Sequence, residues 1–275
     1  MLSYQHGYHA GNFADVVKHF TLTRLLNYMI GKEKPLFYLE THSGRGIYDL
    51  KDKKAMKTRE ALQGVELLFN QKQKLPDLFN LYLKEIAALN ADDKLRYYPG
   101  SPSIAISSLR QQDRLFFAEL HPREFEHLKD LKRKSKHTTF SNINGLELLK
   151  SMLPPPERRG LIFIDPSFEI KSEYKDLPVL IKTAYDRFPT GVYCIWYPIV
   201  ANNLYLQLRR GLDKISPDNK LLIEFYLNDP ANAGMTGCGL YIINPPYLLK
   251  NEVKLGLDAL VEIFNPSSSS FLIES

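Results

Sequence analysis

Short apolar runs recur along the chain at residues 36–39, 115–118, 161–164, 191–196, 221–227 and 239–243, with a weaker one at 138–140. Each is short for a helix and long enough for a buried strand. Helix-patterned stretches separate several of them. In Phe13–Ile30, apolar side chains fall at 13, 16, 17, 20, 25, 26, 29 and 30, and Asn12 stands where an N-cap belongs. Residues 202–212 and 252–264 also read as helices. Strands and helices taken in turn predict a doubly wound, Rossmann-like α/β fold, a sheet of seven mostly parallel strands covered on both faces. A ligand then sits beyond the carboxyl ends of the strands.

One stretch breaks the alternation. Residues 52–95 are rich in Lys, Leu, Glu and Gln, with helical spacing and no good strand. Strands resume directly afterwards, so a small helical insertion within one domain, residues 1–275, is expected. Residues 267–270, all serine after Pro266, read as a loose connection to the last residues.

At 275 residues the chain can bury a large core, and 44% hydrophobic with 24% charged residues is ordinary for a soluble protein. The longest apolar stretch, 191–201, is too short to cross a bilayer and contains Pro198. No basic segment leads into an apolar one at the N-terminus. Cys194, in an apolar run, reads as a reduced core residue, which predicts a cytoplasmic protein. A net charge of +5 fits a nucleic-acid partner without demanding one. The densest basic run, 129–136, suits a solvated helix face or phosphate contact.

Chemistry gathers at strand ends. Leu161-Ile162-Phe163-Ile164-Asp165-Pro166-Ser167-Phe168 runs from an apolar strand into a carboxylate, a proline and a ring. Asp165 can accept a hydrogen bond or proton, Pro166 stiffens the turn, and Phe168 offers a face for stacking. The set suits an exocyclic amine such as N6 of adenine. It resembles the Asp-Pro-Pro-Tyr motif of S-adenosylmethionine-dependent amino-methyltransferases, with Ser167 in place of the second proline. Asn244-Pro245-Pro246-Tyr247 matches such a motif better letter for letter, but it follows a late strand and reads as a rigid turn.

Upstream, Glu40-Thr41-His42-Ser43-Gly44-Arg45-Gly46 follows the first strand. Gly44 and Gly46 permit a tight turn and close approach of a ligand, and two glycines suffice for a methionine moiety. Glu119 ends the next strand and can accept from two ribose hydroxyls. Asn144-Gly145, after the weak strand, can meet an adenine edge. His6, His9, His19 and His42 raise a metal reading, but no clear further ligands lie nearby and methyl transfer needs none.

Several blocks, in order, resemble the RlmJ family. They are the start from Met1 through His6, His9-Ala10-Gly11-Asn12, Asp15-Val16-Val17-Lys18-His19, Thr41-His42-Ser43-Gly44-Arg45-Gly46, Leu95-Arg96-Tyr97-Tyr98-Pro99-Gly100-Ser101-Pro102, Glu119-Leu120-His121-Pro122, Arg158-Arg159-Gly160 running through to Asp165-Pro166, Trp196-Tyr197-Pro198 and Gly234-Met235-Thr236. The family methylates N6 of an adenine in 23S ribosomal RNA. The resemblance implies a class I methyltransferase sheet and S-adenosyl-L-methionine contacts at His19, His42, Ser101, Glu119, Asn144 and Gly145, with Lys18 beside them. It makes Asp165 the catalytic acceptor and places Tyr4 on the RNA. Tyr4 and His6 could close over a flipped base or simply pack the N-terminus. Two departures stand out: Asn144 replaces the family's Asp, and Pro166-Ser167-Phe168 replaces Pro-Pro-Tyr. The expected partner is 23S ribosomal RNA, with no membrane, no metal and a monomeric chain. A DNA adenine methyltransferase, or an RNA-binding protein that has lost catalysis, are the alternatives.

Overall fold

A computed structural model of the protein describes residues 5–134, 138–216, 218–227, 234–265 and 267–275. Its strands are β1 (Phe37–Glu40), β2 (Ile47–Asp49), β3 (Tyr97–Pro99), β4 (Arg114–Ala118), β5 (Thr138–Ser141), β6 (Gly160–Ile164), β7 (Val192–Val200), β8 (Lys220–Tyr226), β9 (Met235–Ile243) and β10 (Ser270–Glu274). Eight form one sheet in the order β10-β8-β9-β7-β6-β1-β4-β5, and β2 pairs with β3. Every apolar run singled out above is one of these strands. The sheet has one strand more than the seven expected: Ser270–Glu274 pairs antiparallel with β8, Ser270 opposite Tyr226. It lies at an edge and is only half-buried, and its apolar run is just Phe271-Leu272-Ile273.

Strands β5, β4, β1, β6 and β7 run parallel. Beyond β7 the pairing turns antiparallel, through β9 and β8. Every residue of β1 and β6 is buried, as central strands covered on both faces must be. The chain winds outward from β1 to β4 and β5, then returns to the other side of β1 as β6. The winding therefore reverses between β1 and β6, where the carboxyl ends of the two strands open a crevice.

The helices are α1 (Phe13–Ile30), α2 (Lys53–Thr58), α3 (Val65–Asn70), α4 (Asn80–Ala87), α5 (Ser101–Ser108), α6 (Pro122–Leu128), α7 (Gly145–Ser151), α8 (Glu173–Arg187), α9 (Tyr205–Leu212) and α10 (Leu249–Phe264). Helix α1 packs on α5 and α10, while α8 packs on α7 and α9. Asn12 caps α1, its Oδ1 accepting from Asp15 N at 2.9 Å. Helices α2 to α4 fill the stretch between β2 and β3, whose pairing of Ile47 with Pro99 brings its two ends together. Because α4 also lies against α1, that helix is buried on nearly every side. Its Asp15, Lys18 and His19 must therefore find partners inside the protein.

Candidate active site

Four parallel strands deliver their ends to one place. Glu40 closes β1, Glu119 follows β4, Asn144 lies just beyond β5, and Asp165 follows β6. A cavity of about 260 Å³ opens there. Among the residues expected at the site, His6, Lys18, His19, His42, Gly44, Ser101, Glu119, Asn144, Gly145, Asp165 and Pro166 line it.

Asp165 is the end of a charged chain that begins in α1. Lys18 Nζ lies 2.7 Å from Asp165 Oδ2 and 2.9 Å from Asp15 Oδ1. Asp15 Oδ2 accepts in turn from Gly11 N at 2.9 Å and sits 2.8 Å from His6 Nε2. Burial alone would push the Asp15 carboxyl up, but His6 and Lys18 outweigh it and hold it well below the usual range. Burial likewise pulls on Lys18, and the two aspartates overcome it, holding the ammonium well above its ordinary value. Lys18 also stands 5.3 Å from the centre of the Trp196 ring, another wall of the cavity. Lys18, expected among the cofactor contacts, thus meets the acceptor Asp165.

The imidazoles are of a different kind. Burial drives His19 down to about 3 and His42 to about 4, so both rings stay neutral near pH 7. His19 Nδ1 is 2.7 Å from the Tyr98 hydroxyl, and His42 Nδ1 is 2.8 Å from Thr41 Oγ1. His9 meets Glu60 outside the cavity, 2.7 Å away.

Glu40 lies beneath Ser101, whose hydroxyl donates to Oε1 while Tyr38 donates to Oε2 at 2.9 Å. Burial pushes the Glu40 carboxyl up to about 8 against the pull of those hydroxyls. Between its ordinary 4.5 and about 8 the folded protein holds a proton that the unfolded chain has released. Stability therefore falls as pH rises through that window. Glu40→Gln is expected to flatten the fall, read as urea midpoints at about pH 5 and about pH 8. An unchanged slope would contradict the assignment.

Glu119 is clamped by backbone: Gly44 N donates to Oε2 and His121 N to Oε1, each at 2.7 Å. Burial raises its carboxyl. Gly44 can donate there because its φ is +61°, a conformation open to glycine. Gly46, also left-handed, does not line the cavity; a β-carbon there would strike Leu131, so it shapes the loop from behind. Asn144 Oδ1 accepts from Leu146 N at 3.1 Å as the cap of α7, which leaves its amide nitrogen for a ligand. Beside it, a β-carbon on Gly145 would collide with the Thr41 backbone.

Phe168 departs from expectation. It sits at φ +54°, buried, with its ring stacked on Tyr174 at 4.4 Å between centroids, and it does not reach the cavity. The left-handed turn swings the ring back under α8, while Ser167 and Ile170 face the opening. Phe168→Leu is expected to cost the aromatic pairing energy, about 0.5–1.5 kcal/mol of stability, with RNA affinity nearly unchanged. Loss of a stacked base would instead weaken RNA binding by about 1–3 kcal/mol, which titration of an RNA fragment distinguishes. Tyr4 lies outside the described residues. Asn244 follows β9, which runs antiparallel to β7, so its tetrapeptide lies at the opposite end of the sheet from Asp165. Asn244 holds the Pro189 and Gly191 carbonyls, each at 2.7 Å, and Tyr247 is 90% exposed.

Asp15, Ser43, Tyr48, Glu173 and Trp196 were not singled out from sequence as site residues. Ser43 and Glu173 line the cavity, and their Oγ and Oε2 are buried without a hydrogen-bond partner among the described residues. Unpaired buried polar atoms cost about 1–3 kcal/mol each, so a polar ligand that reached them would be favoured. Ser43 lay within the glycine loop, where its hydroxyl was a readable signal. Glu173 carried none, because α8 was not recognised there.

Comparison with known proteins gives a consistent result. A family model described as "Ribosomal RNA large subunit methyltransferase D, RlmJ" matches residues 33–274. The Haemophilus influenzae protein named Ribosomal RNA large subunit methyltransferase J is 41% identical over 271 residues, 98% of this chain and 96% of that protein. The Escherichia coli protein of the same name is 39% identical, covering 92% of this chain and 90% of its own. A Legionella pneumophila protein of known crystal structure is 53% identical with a TM-score of 0.93, covering 97% of this chain and 98% of its own.

Proposed function

This chain belongs to the RlmJ family of ribosomal RNA large subunit methyltransferases, and we propose that it methylates the N6 amine of an adenine in 23S ribosomal RNA. The observation that carries this reading is Asp165-Pro166 at the carboxyl end of β6, facing the cavity where the winding of the sheet reverses.

S-adenosyl-L-methionine supplies, when bound, an electrophilic methyl carbon on a sulfonium. The residues present fit it. Glu119, fixed by two amides, accepts from ribose hydroxyls with its remaining lone pairs. The amide nitrogen of Asn144 would donate to the edge of the cofactor's adenine, and Gly145 lets the start of α7 pack closely on the Thr41 backbone beside it. Ser43 and Ser101 offer hydroxyls, and neutral His42 and His19 add no positive charge beside a cationic cofactor.

The N6 lone pair of the target adenine is delocalised into its ring and attacks poorly. Lys18 holds Asp165 Oδ2, which leaves Oδ1 to accept from the amine while the Pro166 carbonyl accepts its second hydrogen. Two acceptors pull that nitrogen toward a tetrahedral shape and free its lone pair for attack. Orientation then supplies much of the rate. The methylated nitrogen is strongly acidic and gives its extra proton to Asp165 or to a water. A paired adenine must first leave its helix. The reaction asks for no metal. A ribosomal RNA substrate fits a cytoplasmic enzyme.

Mass mapping of 23S RNA tests the reading. RNA from cells lacking the protein should lose one N6-methyladenosine, regain it with the wild-type chain, and not regain it with Asp165→Ala. Identical maps in all three would sink it, as would preferred methylation of a DNA copy of the same sequence.

A further inference from the structure

Lys51, Lys53, Lys54, Lys57 and Arg59 stand within nine residues around α2. All but Lys54 are exposed. The nearby carboxylates are engaged elsewhere: Asp49 by Arg96, Glu124 by Arg45, and Glu60 by His9 and Asn12. Asp52 caps the helix. The positive charge of this edge is therefore turned to solvent rather than spent inside the protein.

Its position is what matters. Helix α2 packs on the turn His6–Tyr8, and His6 is a wall of the cavity. Thr58 donates its hydroxyl hydrogen to the Tyr8 carbonyl, and Lys57 Nζ stands 5.9 Å from the centre of the Tyr8 ring. Lys54 Cδ lies 3.7 Å from where a β-carbon on Gly7 would be. The cationic edge thus forms one shoulder of the cavity mouth.

We propose that α2, with Lys51 and Arg59 at its ends, docks the phosphate backbone of the RNA strand next to the target adenine; this rests on the RNA methyltransferase reading above. Lys53 and Lys57, four residues apart on one helix face, can meet neighbouring phosphates of one strand. Lysine offers a point charge and no base-edge code, so the edge sets affinity and register, and sequence choice lies elsewhere.

The test compares wild type with Lys53→Gln/Lys57→Gln/Arg59→Gln, and with a charge-keeping Lys53→Arg/Lys57→Arg/Arg59→Lys. A 23S RNA fragment is bound across salt concentrations and methylated at saturating cofactor. Three lost phosphate contacts should reduce the log–log salt slope by about 2–3. The triple glutamine variant should show a KM for RNA at least tenfold higher with kcat within twofold, and the charge-keeping variant should behave as wild type. An unchanged slope and KM would overturn the docking edge and leave the methyltransferase reading standing. A wild-type chain that binds RNA with the expected slope but transfers no methyl would overturn only the enzyme reading.

Discussion

Asp165→Asn is expected to lower single-turnover methyl transfer by about 10²–10⁴-fold with little change in cofactor affinity. The reason lies in the Lys18 contact. The ammonium, 2.7 Å from Oδ2, demands an acceptor, and an asparagine has only one oxygen to give it. The amide nitrogen then turns toward the substrate, and a donor faces the adenine amine where an acceptor is needed. Aspartate satisfies both neighbours because both its oxygens accept. Rapid-quench assays at saturating RNA and cofactor would measure the effect. A rate within fivefold of wild type would remove Asp165 from the chemistry.

Lys18→Met should cost about 3–5 kcal/mol of stability near pH 7, because it leaves two aspartates beside an unpaired, buried position. Lys18 is 3% exposed, so water does little to screen the loss. The sign of the pH dependence follows from the shifts. Lys18 is held above 10.5, so its contribution is complete below that value and disappears only in stronger alkali. Asp15 is held below 3.8, so its contribution is present above that value and is lost as pH falls through its lowered one. Acid therefore removes from the wild type what the substitution removes at neutrality, and the gap seen near pH 7 should narrow only at a pH well below 3.8. Urea midpoints at both pH values check this. A gap that stays constant would mean that packing, not charge, sets the cost. Methyl transfer should fall as well, because Asp165 loses the ammonium that orients it.

The strand ends were legible because chemistry there is local: a short apolar run stopping at Asp165, Glu119 or Glu40 is visible without knowing what packs against it. Phe168 was not legible, because sequence does not disclose the sign of a φ angle, and Tyr174 six residues later captures the ring. The Lys18 contact with Asp165 spans nearly 150 residues of chain, and no periodicity connects them. That α1 is buried all round depends on α4 crossing it, which its own apolar spacing could not report. Strand β10 offers only Phe271-Leu272-Ile273 after a run of serines, too short a stretch to tell an edge strand from a tail. The cations of α2 are interleaved with Asp52 and Glu60, and sequence does not disclose that those carboxylates are occupied.

Asp15 answers to the His6–Tyr8 turn through Oδ2 and to Lys18, which holds Asp165, through Oδ1. An injury to His6 can consequently propagate inward without any nucleotide being involved. Weak turnover after altering that imidazole would be ambiguous evidence for contact with the substrate, and only a companion change at Asp15 would separate touch from transmission.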